Sequence, residues 1–243
     1  LVPGVSPPSM PEGQRVRVVS LVPSVTETLL SWGVIPVAVT RFCEQPGFAT
    51  VGGTKNPDIA GIVALGPDLV VVDREENRRE DAEALGAAGV PVHVMHVRGL
   101  DDVAPELAGL AAALHLGGDR PENSTRPGPI HDALRVWVPI WRRPWMSINA
   151  STYGSSILEA AGFVNVLGGD PEAYPEVELE AVAALHPQRV LAPSEPYAFR
   201  ARHQAELEQV APVTFVDGKD MFWWGSRTPG ALRRLAALAR TLS

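Results

Sequence analysis

Aromatic residues make up only 6% of the chain, yet several stand beside charged side chains in segments with no helical or strand period. Trp141 and Trp145 bracket Arg142 and Arg143 in WRRPW. Glu195 precedes Tyr197 in SEPYAF. Trp223 and Trp224 precede Arg227 in FWWGSR. Such rings make large, rigid walls with a polar handle. An arginine beside them stacks, or forks onto a carboxylate or phosphate. That is the chemistry of a recognition cleft. The plainer reading has the rings capping sheets, with Arg142, Arg143 and Arg227 held in salt bridges.

Glu75, Glu76, Asn77 and Arg78 follow the apolar run DLVVVD. Carboxylates are favoured at the positive end of a helix, which explains Glu75 and Glu76 without any function. In the functional reading Asn77 or Arg78 faces a cleft. Phe42 and Cys43 lie in RFCEQP, after an apolar run. The default for a lone cysteine is an inert, buried thiol, while a loop position allows a ligand contact or a nucleophile. No CxxC, HExxH or Cys/His spacing is present, so no metal site is expected. His93 and His96, three apart on a strand, face opposite sides. VGGTKNP lacks the phosphate-loop pattern, and neither GxGxxG nor GxSxG occurs. An acid–base pair of Glu75 with Glu195, assembled across a cleft, is the catalytic arrangement left open.

These residues fall in loops between recognisable elements. RVRVVSLVP, VIPVAVT, DLVVVD and VPVHVMHV read as short buried strands, alternating with helices over 24–32, 58–65 and 74–89. Residues 41–57 read as loop, 101–118 as a helix, and 118–132 as a linker rich in proline and glycine. Beyond it, LRVWVPIW, RVLAPS and PVTFVD read as strands, with helices over 152–161, 178–185, 199–210 and 228–242. Strands alternating with helices predict parallel sheets covered on both faces. IVALGPDLVVVD parallels AVAALHPQRVLAPS, and Pro67 and Pro187 hold equivalent places 120 positions apart. The expected organisation is an N-terminal α/β lobe over 15–100, a bridging helix and loop over 101–133, and a C-terminal α/β lobe over 134–243. A ligand would then bind between the lobes, beyond the C-terminal ends of the strands.

Charge and composition bound the partners. The 243 residues carry a formal net charge of −7, a poor footprint for nucleic acid. No run of eighteen apolar residues spans a membrane. With one cysteine no intrachain disulfide forms. The N-terminal LVPGVSPPSMPEGQRVRVV shows no basic stretch followed by an apolar one. That leaves open a cytoplasmic protein and an exported one whose signal has been removed.

The segments RVVSLVPSVTETLLSWG, IVALGPDLVVVD, LEAAGFVNVLGG and GSRTPGALRRLAALA resemble the helical-backbone metal receptor superfamily. These are substrate-binding proteins serving transporters for vitamin B12, ferric siderophores and haem. The resemblance runs from about residue 15 to the end. A narrower resemblance, through FC…P, VGGTKNP, EENRRED, WRRPWM, SEPYAF and WGSR, is to an uncharacterised subgroup often lacking an export signal. It implies two small α/β lobes bridged by a helix, here shortened, and a cleft closing little over its ligand. Cobalamin is the first expectation, a ferric siderophore or haem the next, with no intrinsic cofactor. An ABC-transporter permease is the implied partner, and surface acids, here Glu27 and Glu159, would meet it. Many relatives carry a histidine near FC where this chain has Gln45, which argues against a metal at that loop. The expected ligand-binding residues are Phe42, Cys43, Glu75, Asn77, Arg78, Trp141, Arg142, Trp145, Glu195, Tyr197, Trp223, Trp224 and Arg227. The expectation is a receptor and not a catalyst. The alternative is an intracellular enzyme or sensor acting on a small polar ligand in the same cleft.

Overall fold

The computed structural model describes residues 16–117 and 133–242. The N-terminal stretch and the linker read over 118–132 lie outside them. The first sheet holds β1 (Val18–Ser20), β2 (Ala38–Val39), β5 (Leu69–Asp73) and β6 (Val92–Met95). All are parallel, in the order β2-β1-β5-β6. The second holds β7 (Leu134–Trp137), β8 (Phe163–Asn165), β9 (Arg189–Pro193) and β10 (Val213–Val216), parallel in the order β8-β7-β9-β10. Each half therefore uses the same strand order, with β5 and β9 in equivalent places. The predicted two-lobed α/β architecture is what the chain adopts.

Local signals explain the helices. Pro23 starts α1 (Pro23–Ser31) at its first position, where its missing N–H costs nothing. Asp58 caps α2 (Ile59–Leu65) by accepting from the Gly61 amide at 3.0 Å. Then α3 (Arg79–Ala87) begins five residues later than the pattern predicts. The reason is competition for backbone groups: Asp73 Oδ1 accepts from the amides of Glu75 and Glu76, and Asn77 Oδ1 accepts from the Asp73 amide. This side-chain bonding holds 74–77 as a turn. The bridging helix α4 (Leu100–Ala113) is 14 residues long, about 21 Å at 1.5 Å per residue.

In the second half, Thr152 caps α5 (Tyr153–Ala161), followed by α6 (Leu179–Ala183). The helix predicted over 199–210 is a 3₁₀ turn (Ala201–His203) leading into the short α7 (Gln204–Leu207). Then come α8 (Gly218–Phe222) and α9 (Thr228–Leu242). Three short features escaped sequence patterning. These are β8, α8 and the hairpin of β3 (Gly52–Gly53) with β4 (Asn56–Pro57) inside the predicted loop 41–57. Two to five residues are too few to display a period.

The core is arranged in three parts. The largest lies between the sheets. Val18, Val22, Leu69 and Met95 from the first half pack in one cluster with Leu134, Val136, Phe163 and Leu191 from the second. Leu100, Val103, Leu107 and Leu110 of α4 and Leu232 and Leu235 of α9 fill it. Smaller clusters cover the outer faces, around Ile62 and Leu85 on one side and Trp137 and Phe199 on the other.

Candidate functional site

The loops that leave the C-terminal ends of the two sheets meet each other. From the first half come α1 behind β1, the 40–46 loop behind β2 and the 74–77 turn behind β5. From the second come the segment behind β8, the SEPYAF turn behind β9 and α8 behind β10. Their contacts tie the halves together. Arg227 forks onto Glu27 through Nε at 3.0 Å and Nη2 at 2.9 Å. Its Nη1 donates to Asp220 at 3.2 Å, and Arg234 donates to both Asp220 oxygens at 2.6 Å. Lys219 pairs with Glu44, and the Tyr174 hydroxyl donates to Glu75. The Ser226 amide donates to Thr28 Oγ1 at 3.0 Å.

Gly225, at φ +114°, is what lets the chain pass Thr28: a Cβ there would collide with Thr28 Oγ1. Gly225→Ala is expected to lower the unfolding free energy by more than about 1 kcal/mol, since it combines a left-handed backbone with a steric clash. A urea titration checks it, and an unchanged midpoint would contradict the close approach.

A cavity of about 110 Å³ lies at this junction. Thr26, Glu27, Cys43 and Glu44 line it from the first half, and Lys219, Trp223 and Arg227 from the second. The Cys43 thiol sits 3.2 Å from Thr26 Oγ1 and 3.6 Å from Thr40 Oγ1. Trp223 lies under two cations, Lys219 at 4.8 Å and Arg227 at 5.9 Å from its ring centre. Both cations are already paired with carboxylates of the protein.

Beside the cavity is a knot of acids. Glu75 and Glu76 occupy the turn behind β5, and Glu195 the equivalent position behind β9, 120 residues on from Glu75. Burial pushes the Glu76 carboxyl up to about 8, helped by the charges of Asp73, Glu195 and Glu75 and opposed by Lys55. Burial likewise raises Asp73 to about 6, against the lowering effect of the Glu75 and Glu76 amides. The Glu195 carboxyl is raised by burial, with Lys219 opposing and Asp217 and Glu44 adding. Burial, the hydrogen bond to Glu75 and the nearby carboxylates hold the Tyr174 hydroxyl protonated well above its usual range. Gly218 lets α8 approach this turn: a Cβ there would lie 2.5 Å from the Glu195 carbonyl oxygen.

The sequence-predicted residues divide by place. Cys43, Trp223 and Arg227 line the cavity, and Glu75 and Glu195 belong to the acid knot. Trp141, Arg142, Trp145 and Tyr197 form a separate knot on the second half. There Arg142 Nε donates to Glu206 at 2.8 Å, Trp141 meets Tyr197 edge-on at 5.5 Å, and Trp145 stacks on Phe199 at 6.0 Å. Phe42 is half-exposed with Arg41 over its ring at 5.0 Å. Asn77 is buried and staples the first half, donating to the carbonyls of Leu21 and Thr54. Arg78 pairs with Asp81 on its own helix at 2.8 Å. Trp224, expected as a cleft wall, is only 4% exposed and belongs to the central core. Glu27, carried over as a transporter-facing acid, is engaged by Arg227.

Sequence reasoning did not select Asp73, Glu76, Tyr174 or Lys219 as candidates. Asp73 closes β5 and Lys219 follows β10, so the rule that ligands sit beyond strand ends points to both. Tyr174 had no such signal.

No family profile matches the chain. It is 26% identical over 228 residues to a vitamin B12-binding protein of Pectobacterium carotovorum, covering 85% of this chain and 81% of that one. Among solved structures, it superimposes on the periplasmic vitamin B12-binding protein of Vibrio cholerae with a TM-score of 0.74 at 18% identity, covering 93% of this chain and 97% of that one. It superimposes on the apo periplasmic heme-binding protein of Roseiflexus sp. RS-1 with a TM-score of 0.77 at 19% identity, covering 94% and 99%.

Proposed function

Starting from the membership of this chain in the helical-backbone metal receptor superfamily, we propose that it is a receptor for a chelate ligand held between the lobes, with a corrinoid first. A ferric siderophore or haem comes next. The observation that carries this is the convergence of equivalent loops from two equivalent sheets onto one polar junction, with Trp223 lining its cavity and Tyr174 donating to Glu75 from the other half. The cavity of about 110 Å³ is well below the roughly 300–1,000 Å³ of ordinary ligand pockets. A corrinoid therefore enters only after the rim parts, breaking Lys219–Glu44 and Tyr174–Glu75 while the apolar base between the sheets stays packed. Two of the similar structures are periplasmic binding proteins, which supports capture of the ligand outside the cytoplasm, and an ATP-driven importer is the partner this reading assigns.

The test is titration with cyanocobalamin, haem and a ferric siderophore, read by calorimetry and tryptophan quenching. The expected result is saturable one-to-one binding of cyanocobalamin, weakened at least about tenfold (roughly 1.4 kcal/mol) in Trp223→Ala. No binding of any of the three would overturn the reading. The small cavity favours a second reading, a sensor or enzyme for a small polar molecule, and a flat result across the panel would shift the weight there.

A further inference from the structure

We propose that Lys219 is the anion-recognising residue of this cleft, and that Glu44 is its built-in stand-in for a phosphodiester or carboxylate group of the ligand, turning out to solvent when that group arrives. The proposal rests on the receptor reading given above and names one chemical requirement of its ligand.

The two cations on the cavity wall are held differently. Arg227 is fixed: Nε and Nη2 fork onto Glu27, and Nη1 donates to Asp220, whose side chain is 8% exposed. Lys219 has one salt-bridge partner among the described residues, Glu44. The Glu44 side chain is 64% exposed, that of Lys219 only 18%. Glu44 belongs to the loop behind β2 in the other half, so the pair comes apart when the rim parts. Other contacts then keep Lys219 in place. Its amide donates to Asp217 Oδ1 at 3.0 Å at the start of α8, and its ammonium lies 4.8 Å from the centre of the Trp223 ring. A cation over an aromatic face is attracted to it. Glu195 packs against Gly218, yet among the described residues it makes no salt bridge with Lys219.

The exchange is favourable on energy, charge and size. An ion pair with so exposed a carboxylate contributes little, and Glu44 recovers its hydration outside. A ligand anion set on Lys219 inside the junction is shielded from water, where a charge-assisted hydrogen bond is stronger. Glu27, Glu44, Lys219 and Arg227 line the cavity, so its charges cancel, and the departure of Glu44 leaves one positive charge for one incoming anion. The cavity of about 110 Å³ is too small for a whole chelate. It has room for a terminal group of several heavy atoms, since a water molecule takes about 30 Å³ in the liquid.

The experiment measures affinities of the whole protein at neutral pH for two pairs of probes. Cyanocobalamin, which carries a phosphodiester, is paired with dicyanocobinamide, which lacks it. Haem, which carries two carboxylates, is paired with its dimethyl ester. Lys219→Met is expected to weaken the anionic probe that binds about tenfold, with Lys219→Arg restoring most of the loss, while Glu44→Gln tightens it about threefold. A pair that merely latched the rim would move both variants the same way, because either change breaks it. Opposite shifts confined to cyanocobalamin assign the group to the phosphodiester, and shifts confined to haem assign it to a carboxylate. If Lys219→Met does not fold, tightening by the exposed Glu44→Gln, restricted to the anionic member of a pair, carries the test. The proposal is overturned, with the receptor reading intact, if the two variants shift the anionic probes in the same direction, if either leaves them unchanged, or if the neutral analogues shift alike. Absence of binding by every probe overturns both.

Discussion

Trp224→Ala is expected to lower the unfolding free energy by about 3–5 kcal/mol, the usual cost of removing a large buried aromatic. The neighbouring Trp223→Ala should cost about 1 kcal/mol or less and act on ligand binding instead. The difference follows from the backbone. At Trp223 the chain has left α8 and is extended, at φ −95° and ψ 103°, so successive side chains point to opposite sides. Trp223 turns to the cavity under Lys219 and Arg227, while Trp224 turns into the cluster between the sheets. Urea titrations at constant slope separate the two stabilities. Equal midpoints for the two variants would contradict this division.

Stability should fall as pH rises through the acid knot. Glu76 is raised from 4.5 to about 8 on folding, so the native state holds its proton over a range where the unfolded chain has released it. Its contribution is fully present below about pH 4.5 and is lost as pH rises to about 8. One unit corresponds to about 1.4 kcal/mol. Allowing for partial solvation at the rim, Glu76 should make the protein about 2–3 kcal/mol less stable at pH 8.5 than at pH 5. Asp73, raised to about 6, adds a smaller loss at lower pH. Asp220 runs the other way. Burial alone would raise its carboxyl, but Arg234 and Arg227 more than offset that and hold it low. Its contribution is present above the unfolded value and lost in acid. The clean comparison is wild type against Glu76→Gln, whose difference in unfolding free energy should change by that amount between the two pH values. A difference independent of pH would contradict the burial of Glu76.

Much of the fold was legible because it repeats. Pro67 and Pro187, each followed by an apolar run, mark β5 and β9, and the strand orders of the two sheets match around them. Glu75 and Glu195 could be picked out for the same reason, since both sit just past those strands. Tyr174 could not. It lies in GGDPEAYPE, which has no period, and its partner Glu75 is 99 residues away. Arg142 and Arg227 were legible as residues seeking an anion. Their partners Glu206 and Glu27, distant in sequence, could only be found in the folded chain. Helix α3 was overextended because the Asp73 and Asn77 side chains compete for the backbone just where the polar pattern begins.

Two sheets of identical strand order suggest halves that could each fold alone. The central cluster argues otherwise. Val18, Leu69 and Met95 from one sheet and Val136, Phe163 and Leu191 from the other are buried by the same layer of α4, α5 and α9. A chain severed between residues 117 and 133 would leave each fragment with a broad apolar face and nothing to cover it. The halves are therefore parts of one foldon, and the protein should melt in a single transition although its architecture is double.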